Sequence, residues 1–320
     1  MNNQATFRNP IVAGAPDPWV YKHVDGCYYF MSTQSGHLKL TRSDKLTKLA
    51  QGDSRTIWTP ASAGSYSYNL WAPELHWLHG KWYVYFTAND GGGDETRRIC
   101  VLENEEADPM RGEWTWKGPL QTPVPGLDGT VMRHRDQLYF LYAGYGHFPD
   151  YGSAIYIMRM ADPWTVIGEH VLLTAPTLEW EKQGGMAINE GPVLLRRNGR
   201  AFLVYSASTT WSEDYALGML TMDEAADPMK AHSWTKSMQP VFRKSVDNGV
   251  FAPGHNSFTV SPDDLEDWIV YHALPAPGAE LGLRATRIQK IGWKPDGTPD
   301  FGVPLGDHQD IAAPSGECPD

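Results

Sequence analysis

One phrase recurs along the chain, namely a short apolar strand, a tight polar turn and an aromatic strand. Its clearest copies are "DPWVYKHVDGCYYFMST", "APELHWLHGKWYVYFTA", "DGTVMRHRDQLYFLYAG" and "EGPVLLRRNGRAFLVYSAS", and "HNSFTVSPDDLEDWIVYHA" is a looser fifth. Pairs such as His79-Gly80 and Asn198-Gly199 stand where a two-residue hairpin needs positive φ, so each phrase predicts a hairpin. The turns recur about every 54 to 63 residues, an interval that suits four-stranded propeller blades with long loops.

Five such units account for almost the whole chain, and segments with helical periodicity are nearly absent. We therefore predict an all-β fold, a five-bladed β-propeller that forms a single domain over residues 1–320. The predicted blades cover roughly 14–66, 67–123, 124–182, 183–245 and 246–305. The N-terminal segment "ATFRNPIVAG" is expected to add a strand to the last blade and close the ring, which removes exposed sheet edges.

A second phrase contains Asp-Pro and occurs in "ENEEADPMRGEWTW", "RMADPWTVIG" and "MDEAADPMKAHSWT". Its acids, Asp108, Asp162 and Asp227, are predicted to form the turn between the two outer strands of a blade, because Asp-Pro is a good turn former. Asp17 also begins an Asp-Pro-Trp tripeptide, but it precedes the first hairpin. The two copies of Asp-Pro-Trp are therefore predicted to be structurally unrelated.

An acid stands at the head of three hairpin phrases, about eight residues before the turn: Asp17, Asp128 and Glu190. The innermost strands of a propeller line its central channel, so equivalent positions on three blades converge at the channel mouth. Converging carboxyl groups repel one another and shift each other's pKa values. Glycoside hydrolysis needs such a set, one carboxylate to activate water and one carboxylic acid to protonate the leaving oxygen.

Composition excludes several other classes of function. The 320 residues carry a formal net charge of -11 without clustered Lys and Arg, which argues against a nucleic-acid partner. No apolar run approaches the length of a membrane span, so no membrane association is expected. The cysteines Cys27, Cys100 and Cys318 are too widely spaced for a disulfide framework or a zinc ribbon. The start lacks a secretory signal, which predicts a cytoplasmic protein if Met1 is the natural start and an extracellular one if a signal peptide has been removed.

The chain resembles glycoside hydrolase family 43 in the stretches "GAPDPWV", "LWAPELHWLHGKWYVYF", "LDGTVM", "INEGPVLL", "GHNSFTV" and "IQKIGWKPDGTPDFG", which span residues 10 to 305. This resemblance implies a five-bladed propeller hydrolase that inverts configuration. It also implies that Asp17 is the general base, Glu190 the general acid, and Asp128 the acid that orients Glu190 and tunes its pKa.

Three stretches, "NEGPVLLRRNGRAFLVYSAS", "YALGMLT" and "PGHNSFTVSPD", further resemble exo-acting α-L-arabinofuranosidases. That subgroup trims arabinose units from α-1,5-linked arabinan, so arabinose-containing oligo- or polysaccharides are the expected partners. A β-xylosidase or an endo-arabinanase on the same fold is the alternative, because the pocket loops decide between them. Outside enzymes, the alternative is a sugar-binding propeller module, which would not need all three acids.

Further side chains are candidates for binding substrate. Trp71 stands at an inner-strand start and Glu74 follows it closely, so both are expected to contact the sugar. Arg284 and Arg287 are predicted to lie on opposite faces of a strand, and the resemblance favours Arg284 as the one that points into the channel. Loop aromatics are weaker candidates for lining the pocket: Tyr145, Phe148, Tyr151 and Trp211.

The resemblance also implies a histidine on the fifth blade, beneath the active site, that holds a central ion or water. His255 in "APGHNSF" matches that position. Any ion there is expected to be calcium or sodium, bound mostly through water, with a structural role. The chemistry itself is expected to need no cofactor, because a carboxylate activates the water.

Overall fold

A computed structural model of the chain describes residues 5–61 and 64–318. The two ends of the chain and residues 62–63 lie outside this part. Residues 62–63 fall inside the first predicted blade. The strands form five antiparallel blades whose inner strands contact one another in a closed cyclic order. The predicted all-β fold, a five-bladed β-propeller, is confirmed.

The strands are numbered in chain order, and β1 (Thr6–Phe7) precedes the first blade. Blade 1 consists of β2 (Trp19–Lys22), β3 (Tyr28–Met31), β4 (Leu38–Ser43) and β5 (Asp53–Trp58). Blade 2 consists of β6 (Tyr68–Leu78), β7 (Lys81–Asn89), β8 (Arg98–Asn104) and β9 (Thr115–Pro119). Blade 3 consists of β10 (Gly126–His134), β11 (Gln137–Gly144), β12 (Ala154–Asp162) and β13 (Thr165–Thr174).

Blade 4 consists of β14 (Asn189–Arg197), β15 (Arg200–Ala207), β16 (Ala216–Asp223) and β17 (Thr235–Lys236). Blade 5 has three strands, β18 (Phe251–Val260), β19 (Asp267–Leu274) and β20 (Ala285–Lys290). Short strands follow it: β21 (Gly292–Trp293), β22 (Pro299–Asp300) and β23 (Ile311–Ala312). The helices are single 3₁₀ turns or little longer: η1 (Leu46–Gln51), η2 (Asp94–Thr96), η3 (Glu179–Glu181), η4 (Ala231–Ser233) and η5 (Leu281–Leu283).

Two-residue turns join the inner two strands of blades 2, 3 and 4, where the sequence predicts them. Leu78 pairs with Lys81 and Arg197 pairs with Arg200, so only His79-Gly80 and Asn198-Gly199 lie between the strands. All four of these turn residues have positive φ, between 50° and 80°, as a type I′ hairpin requires. Blade 1 is different, because Lys22 pairs with Tyr28 and its loop is longer.

The hydrophobic core lies between neighbouring blades. Each blade buries apolar side chains on both faces, and one cluster fills each of the five gaps around the ring. Leu40 and Val84, for example, belong to the cluster between blades 1 and 2, whereas Val20 and Ile288 belong to the cluster between blades 1 and 5. Full burial of such a side chain stabilises the fold by about 1.5–3 kcal/mol. This packing fixes the blade tops that carry the acids.

The Asp-Pro phrases form the turns between the two outer strands, as predicted. The carboxylates of Asp108, Asp162 and Asp227 each accept a hydrogen bond from the backbone N–H two residues later, at 2.9, 2.9 and 3.0 Å. Such a bond is typical of an Asx turn. The Asp-Pro-Trp copy at Asp162 is therefore a structural turn.

The N-terminal segment lies along β20, the outermost strand of blade 5. The N–H of Ile11 donates to the Thr286 carbonyl at 2.9 Å, and the N–H of Thr286 donates to the Val12 carbonyl at 2.8 Å. The Asn9 amide completes the seam through both backbone groups of Ile288. Farther out, β1 pairs with β23, so the two ends of the described chain meet.

Candidate active site

The five inner strands share one backbone feature at the channel mouth, a residue in left-handed conformation. These residues are Asp17 (φ 55°), Ala72 (45°), Asp128 (54°), Gly191 (55°) and His255 (49°). In blades 2 to 5 the residue lies where the register with the second strand shifts by a β-bulge. A non-glycine residue in this conformation costs about 1–3 kcal/mol and persists only where surrounding contacts hold it.

A recurring hydrogen bond supplies that support. The N–H of the left-handed residue donates to a polar side chain near the end of the second strand in the preceding blade. The pairs are Ala72 to Thr33 Oγ1 (2.8 Å), Asp128 to Thr87 Oγ1 (3.1 Å), His255 to Ser206 Oγ (2.7 Å) and Asp17 to His272 Nδ1 (3.0 Å). Blade 3 has Ala143 at this position, and the N–H of Gly191 instead donates to Asp128 Oδ2 at 3.1 Å.

This pattern corrects the expected equivalence of the three acids. Asp17 and Asp128 occupy the left-handed position, but Glu190 stands one residue before it, and Gly191 takes the position on blade 4. Glu190 therefore corresponds to Trp71 on blade 2 and Leu127 on blade 3. Because a β-bulge re-aims side chains, the left-handed residue and the residue before it direct their side chains differently.

All three acids line one cavity of about 290 Å³ at the channel mouth. Residues from all five blades and their loops form its wall, including Thr33, Trp71, Asp94, Arg97, Tyr145, Met186, Thr210, Trp211, His255, Leu281 and Arg284. Of the aromatic candidates, Tyr145 and Trp211 line the cavity with Trp71, whereas Phe148 and Tyr151 do not.

Asp17 is surrounded by hydrogen-bond donors and nitrogen atoms. Thr33 Oγ1 donates to its Oδ2 at 2.6 Å, and an Arg284 terminal nitrogen donates to its Oδ1 at 3.1 Å. His272 Nδ1 and His255 Nδ1 lie 3.3 and 3.5 Å from the same Oδ1. Thr33 donates to Asp17, because an ionised carboxylate can only accept, and the Thr33 oxygen in turn accepts the Ala72 N–H.

These neighbours keep Asp17 ionised. Burial raises the pKa of the Asp17 carboxyl, but His255, Arg284 and His272 outweigh it and hold that pKa well below its usual range. Burial also lowers the pKa of His272 to about 4 and lowers the pKa of His255, so both rings are uncharged near neutral pH. Arg284 is therefore the permanent positive charge that touches Asp17.

Glu190 has far fewer donors. Among the residues that the structure describes, only the Tyr215 hydroxyl donates to it, at 2.8 Å to Oε1. Burial, together with the nearby Asp17 carboxylate, raises the pKa of Glu190 to about 7 despite the opposing effect of Tyr215. The side chain stays partly exposed to the cavity. It is thus placed to carry a proton that a ligand can reach.

Asp128 lies between the other two acids. Burial and the neighbouring Glu190 and Asp17 carboxyl groups raise the pKa of Asp128 well above its usual range. The side chain is only 4% exposed, and its Oδ2 accepts the Gly191 N–H. Asp128 therefore holds the backbone directly beside Glu190.

Among the other candidates, Arg284 and His255 line the cavity but Glu74 does not. The Glu74 carboxylate is buried deeper in the channel, where it lies 2.9 Å from His76 Nε2. This position corrects the expectation that Glu74 contacts the sugar directly. Arg287 points away from the cavity and donates to Asp307 at 2.5 Å.

The expected central ion finds little support around His255. Within residues 5–61 and 64–318, no cluster of three or more His, Cys, Asp or Glu side chains has the arrangement of a metal site. His255 Nδ1 lies 3.5 Å from Asp17 Oδ1 and 3.9 Å from Asp128 Oδ2, separations longer than an ordinary hydrogen bond. The described residues therefore do not fit a directly coordinated metal.

Residues 7–299 match the sequence family described as "Glycosyl hydrolases family 43". The chain belongs to glycosyl hydrolase family 43. It is 42% identical over 311 residues to the extracellular exo-α-(1→5)-L-arabinofuranosidase of Streptomyces avermitilis, an alignment that covers 94% of this chain and 64% of that protein. The chain thus spans less than two thirds of that relative's length.

Two further comparisons cover most of both proteins. The extracellular exo-α-(1→5)-L-arabinofuranosidase of Streptomyces chartreusis is 40% identical over 273 residues, which is 84% of this chain and 83% of that protein. The crystal structure of an α-L-arabinofuranosidase from Lactobacillus brevis superposes with a TM-score of 0.90 at 40% identity, covering 95% of this chain and 98% of that one.

Sequence reasoning missed several residues of this family 43 site, among them Thr33, Asp94, Arg97 and Tyr215. Thr33 had a detectable signal, because the second strands of the repeats carry a polar residue at the same position, Thr87, Ser206 or His272. The other three come from loops or outer strands, and no repeat marks them. Arg97 packs its guanidinium over the Trp71 ring at 3.9 Å, so one face of that indole is covered by protein.

Proposed function

We propose that this chain is an inverting glycoside hydrolase, an exo-acting α-L-arabinofuranosidase that releases arabinose from α-1,5-linked arabinan or arabino-oligosaccharides. The observation that carries this proposal is the pairing, in one cavity, of an ionised carboxylate and a carboxylic acid with a pKa of about 7. Hydrolysis with inversion requires this pair. The names of the relatives supply the sugar, arabinose in the furanose form.

In the proposed reaction, Asp17 takes a proton from a water molecule, whose oxygen attacks the anomeric carbon. The bond between that carbon and the glycosidic oxygen breaks on the opposite face, and Glu190 gives its proton to the leaving oxygen. The new C–O bond replaces the old one with inverted configuration, so the α-linked sugar leaves as β-arabinose. The chemistry uses no cofactor and no metal ion.

Glu190 rather than Asp128 is proposed as the acid because of access. Asp128 is buried, and the Gly191 N–H occupies one of its carboxylate oxygens, whereas Glu190 is partly exposed to the cavity. Asp128 acts by raising the proton affinity of its neighbour and by fixing the backbone at Gly191.

Exo action is proposed because side chains from all five blades enclose the cavity, as expected for a pocket that accepts a chain end. Trp71 and Arg284 are proposed to hold the terminal sugar. Two of the similar proteins are described as extracellular, which favours the same location for this chain. Among the described residues, no helix has the length and apolar character that crossing a membrane requires.

Proton NMR of the reaction with linear α-1,5-arabino-oligosaccharides tests the proposal. The anomeric region should show β-arabinose as the first product, followed by mutarotation. Release of α-arabinose first would overturn inversion, and release of oligosaccharides without arabinose would overturn exo action. Activity confined to xylo-oligosaccharides would support the β-xylosidase alternative and refute the arabinan assignment.

A further inference from the structure

A buried arginine on the wall of the cavity has one guanidinium nitrogen without a hydrogen-bond acceptor among the described residues. Arg97 is 9% exposed, and its Nε donates to Asp94 Oδ1 at 2.7 Å. Its guanidinium lies flat over the Trp71 indole, with 3.9 Å between the central carbon and the ring centroid. The Nη1 nitrogen is buried and donates to no group that the structure describes. Arg97, Asp94 and Trp71 all line the cavity.

Such an arrangement is costly unless a ligand completes it. A guanidinium has five N–H donors, and a donor that is buried without an acceptor destabilises the folded protein. The indole and the Asp94 carboxylate restrain the guanidinium, so it is preorganised for a further acceptor. The cost is thus consistent with a site that is complete only when substrate is bound.

Charge indicates which kind of acceptor fits. Asp94 already neutralises Arg97, and Asp17 already neutralises Arg284, so the cavity offers no excess positive charge for an acidic ligand. A neutral oxygen, such as a sugar hydroxyl, fits the free edge of Arg97 better than a carboxylate does.

The register places this edge near the reacting carboxyl groups. Trp71 stands one residue before the left-handed position on blade 2, as Glu190 does on blade 4, so the two residues lie at the same level of the channel mouth. Arg97 packs on Trp71, and its positive charge acts on the pKa of Glu190. In the proposed reaction, the bond that Glu190 protonates lies at this level, and the released sugar adjoins that bond.

We infer that Arg97 is a specificity-determining residue, which donates hydrogen bonds to a hydroxyl group of the terminal arabinose while Asp94 and Trp71 hold it in place. This inference rests on the proposed function. It assigns Arg97 to the released sugar and not to the leaving group.

The test compares kcat/KM of Arg97→Met and Arg97→Lys with that of the wild type. The substrates are 4-nitrophenyl α-L-arabinofuranoside, whose only sugar is the released one, and α-1,5-arabinotriose. Methionine retains an apolar chain over Trp71 but has no donor, and lysine retains the charge without the planar guanidinium. Arg98→Met is the matched control, because Arg98 is the next residue and its hydrogen bonds within the described part of the chain go to the carbonyls of Glu95 and Arg97.

For both Arg97 variants, kcat/KM should fall by about 10- to 100-fold on both substrates, the effect of losing a hydrogen bond to a charged group. Arg98→Met should behave like wild type. Circular dichroism establishes that each variant is folded; if Arg97→Met does not fold, the lysine variant alone decides.

Three outcomes would overturn the inference while wild type remains active. A loss of kcat/KM confined to arabinotriose would show that Arg97 binds the leaving group. An equal loss in Arg98→Met would show that the substitutions act by disturbing the loop. Near-wild-type activity of Arg97→Lys would show that only the positive charge at this position matters, and not the hydrogen bonds of the guanidinium. If wild type itself fails to hydrolyse both arabinosides, the proposed function fails instead, and the inference falls with it.

Discussion

Asp17 and Glu190 face the same cavity, yet their surroundings differ. Within residues 5–61 and 64–318, Asp17 receives hydrogen bonds from the Thr33 hydroxyl and from Arg284, whereas Glu190 receives one, from Tyr215. Burial raises the pKa of both carboxyl groups, but only Asp17 has enough donors and positive charge to reverse that effect. The comparison teaches that the donors placed around each carboxyl group, and not the choice between Asp and Glu, divide the proposed roles of base and acid.

The largest expected effect distinguishes Asp17 from Glu190 by how the loss of activity in each variant depends on the leaving group of the substrate. Asp17→Ala should lower kcat by about 10²- to 10⁴-fold on every substrate, because each reaction needs an activated water. Glu190→Ala should lose as much on arabino-oligosaccharides but much less on dinitrophenyl arabinofuranosides, whose leaving group departs without protonation. Steady-state kinetics on both substrate classes measure the difference. Equal losses of Glu190→Ala on the two classes would contradict its role as the acid.

A smaller effect tests the donors around Asp17. Thr33→Val removes the hydroxyl that stabilises the Asp17 anion, so the pKa of Asp17 should rise. Activity requires ionised Asp17 and is lost as the pH falls through its pKa, so the acidic limb should move to higher pH. At acidic pH, kcat/KM should fall about tenfold. Thr33→Ser, which retains the hydroxyl, is the control, and an acidic limb that stays in place in Thr33→Val would refute this role.

A still smaller effect is expected on the Glu190 side. The Tyr215 hydroxyl favours the ionised form of Glu190, so Tyr215→Phe should raise the pKa of Glu190. Activity requires protonated Glu190 and is lost as the pH rises through its pKa, so the alkaline limb should move to higher pH. The maximal rate should change by only about two- to fivefold, because one neutral hydrogen bond is lost. An alkaline limb that moves to lower pH would show that Tyr215 acts differently.

The smallest effect on catalysis is expected at the other Asp-Pro-Trp. Asp162→Ala removes the hydrogen bond to the Trp164 N–H in an outer turn. The free energy of unfolding should fall by about 1 kcal/mol, while kcat of the folded enzyme stays unchanged. Thermal denaturation and kinetics on the same preparation measure both quantities. A selective loss of kcat would mean that the outer turn communicates with the cavity.

The sequence was sufficient for the fold because hairpin turns and aromatic strands repeat at regular intervals, and this repetition is local. It also led to the three acids, since Asp17, Asp128 and Glu190 precede three of those hairpins and meet in one cavity. Counting residues back from the hairpin turns predicted the position of Glu190 on its strand wrongly by one residue. The loop after β2 is longer than the two-residue turns of blades 2 to 4, and the bulges add residues to the inner strands, so the distance from the turn does not give the position.

Other contacts could not be predicted from the sequence, for a different reason. Arg97 reaches Trp71 from a loop, and Tyr215 reaches Glu190 from the segment before β16, so both contacts depend on loop paths that no periodicity describes. Glu74 shows the opposite error. It stands close to Trp71 in sequence, but strand alternation and the bulge direct it into the channel toward His76.

The pH dependence of kcat/KM, measured for wild type on α-1,5-arabinotriose and for Glu190→Gln on a dinitrophenyl arabinofuranoside, whose leaving group needs no proton, tests the central claim most directly. Wild type should show an alkaline limb near pH 7, where Glu190 loses its proton, and an acidic limb set by the low pKa of Asp17. Glu190→Gln should lose the alkaline limb and keep the acidic one. An alkaline limb that persists in Glu190→Gln would contradict the assignment of the acid, and an acidic limb that disappears with it would contradict the division of roles between the two carboxyl groups.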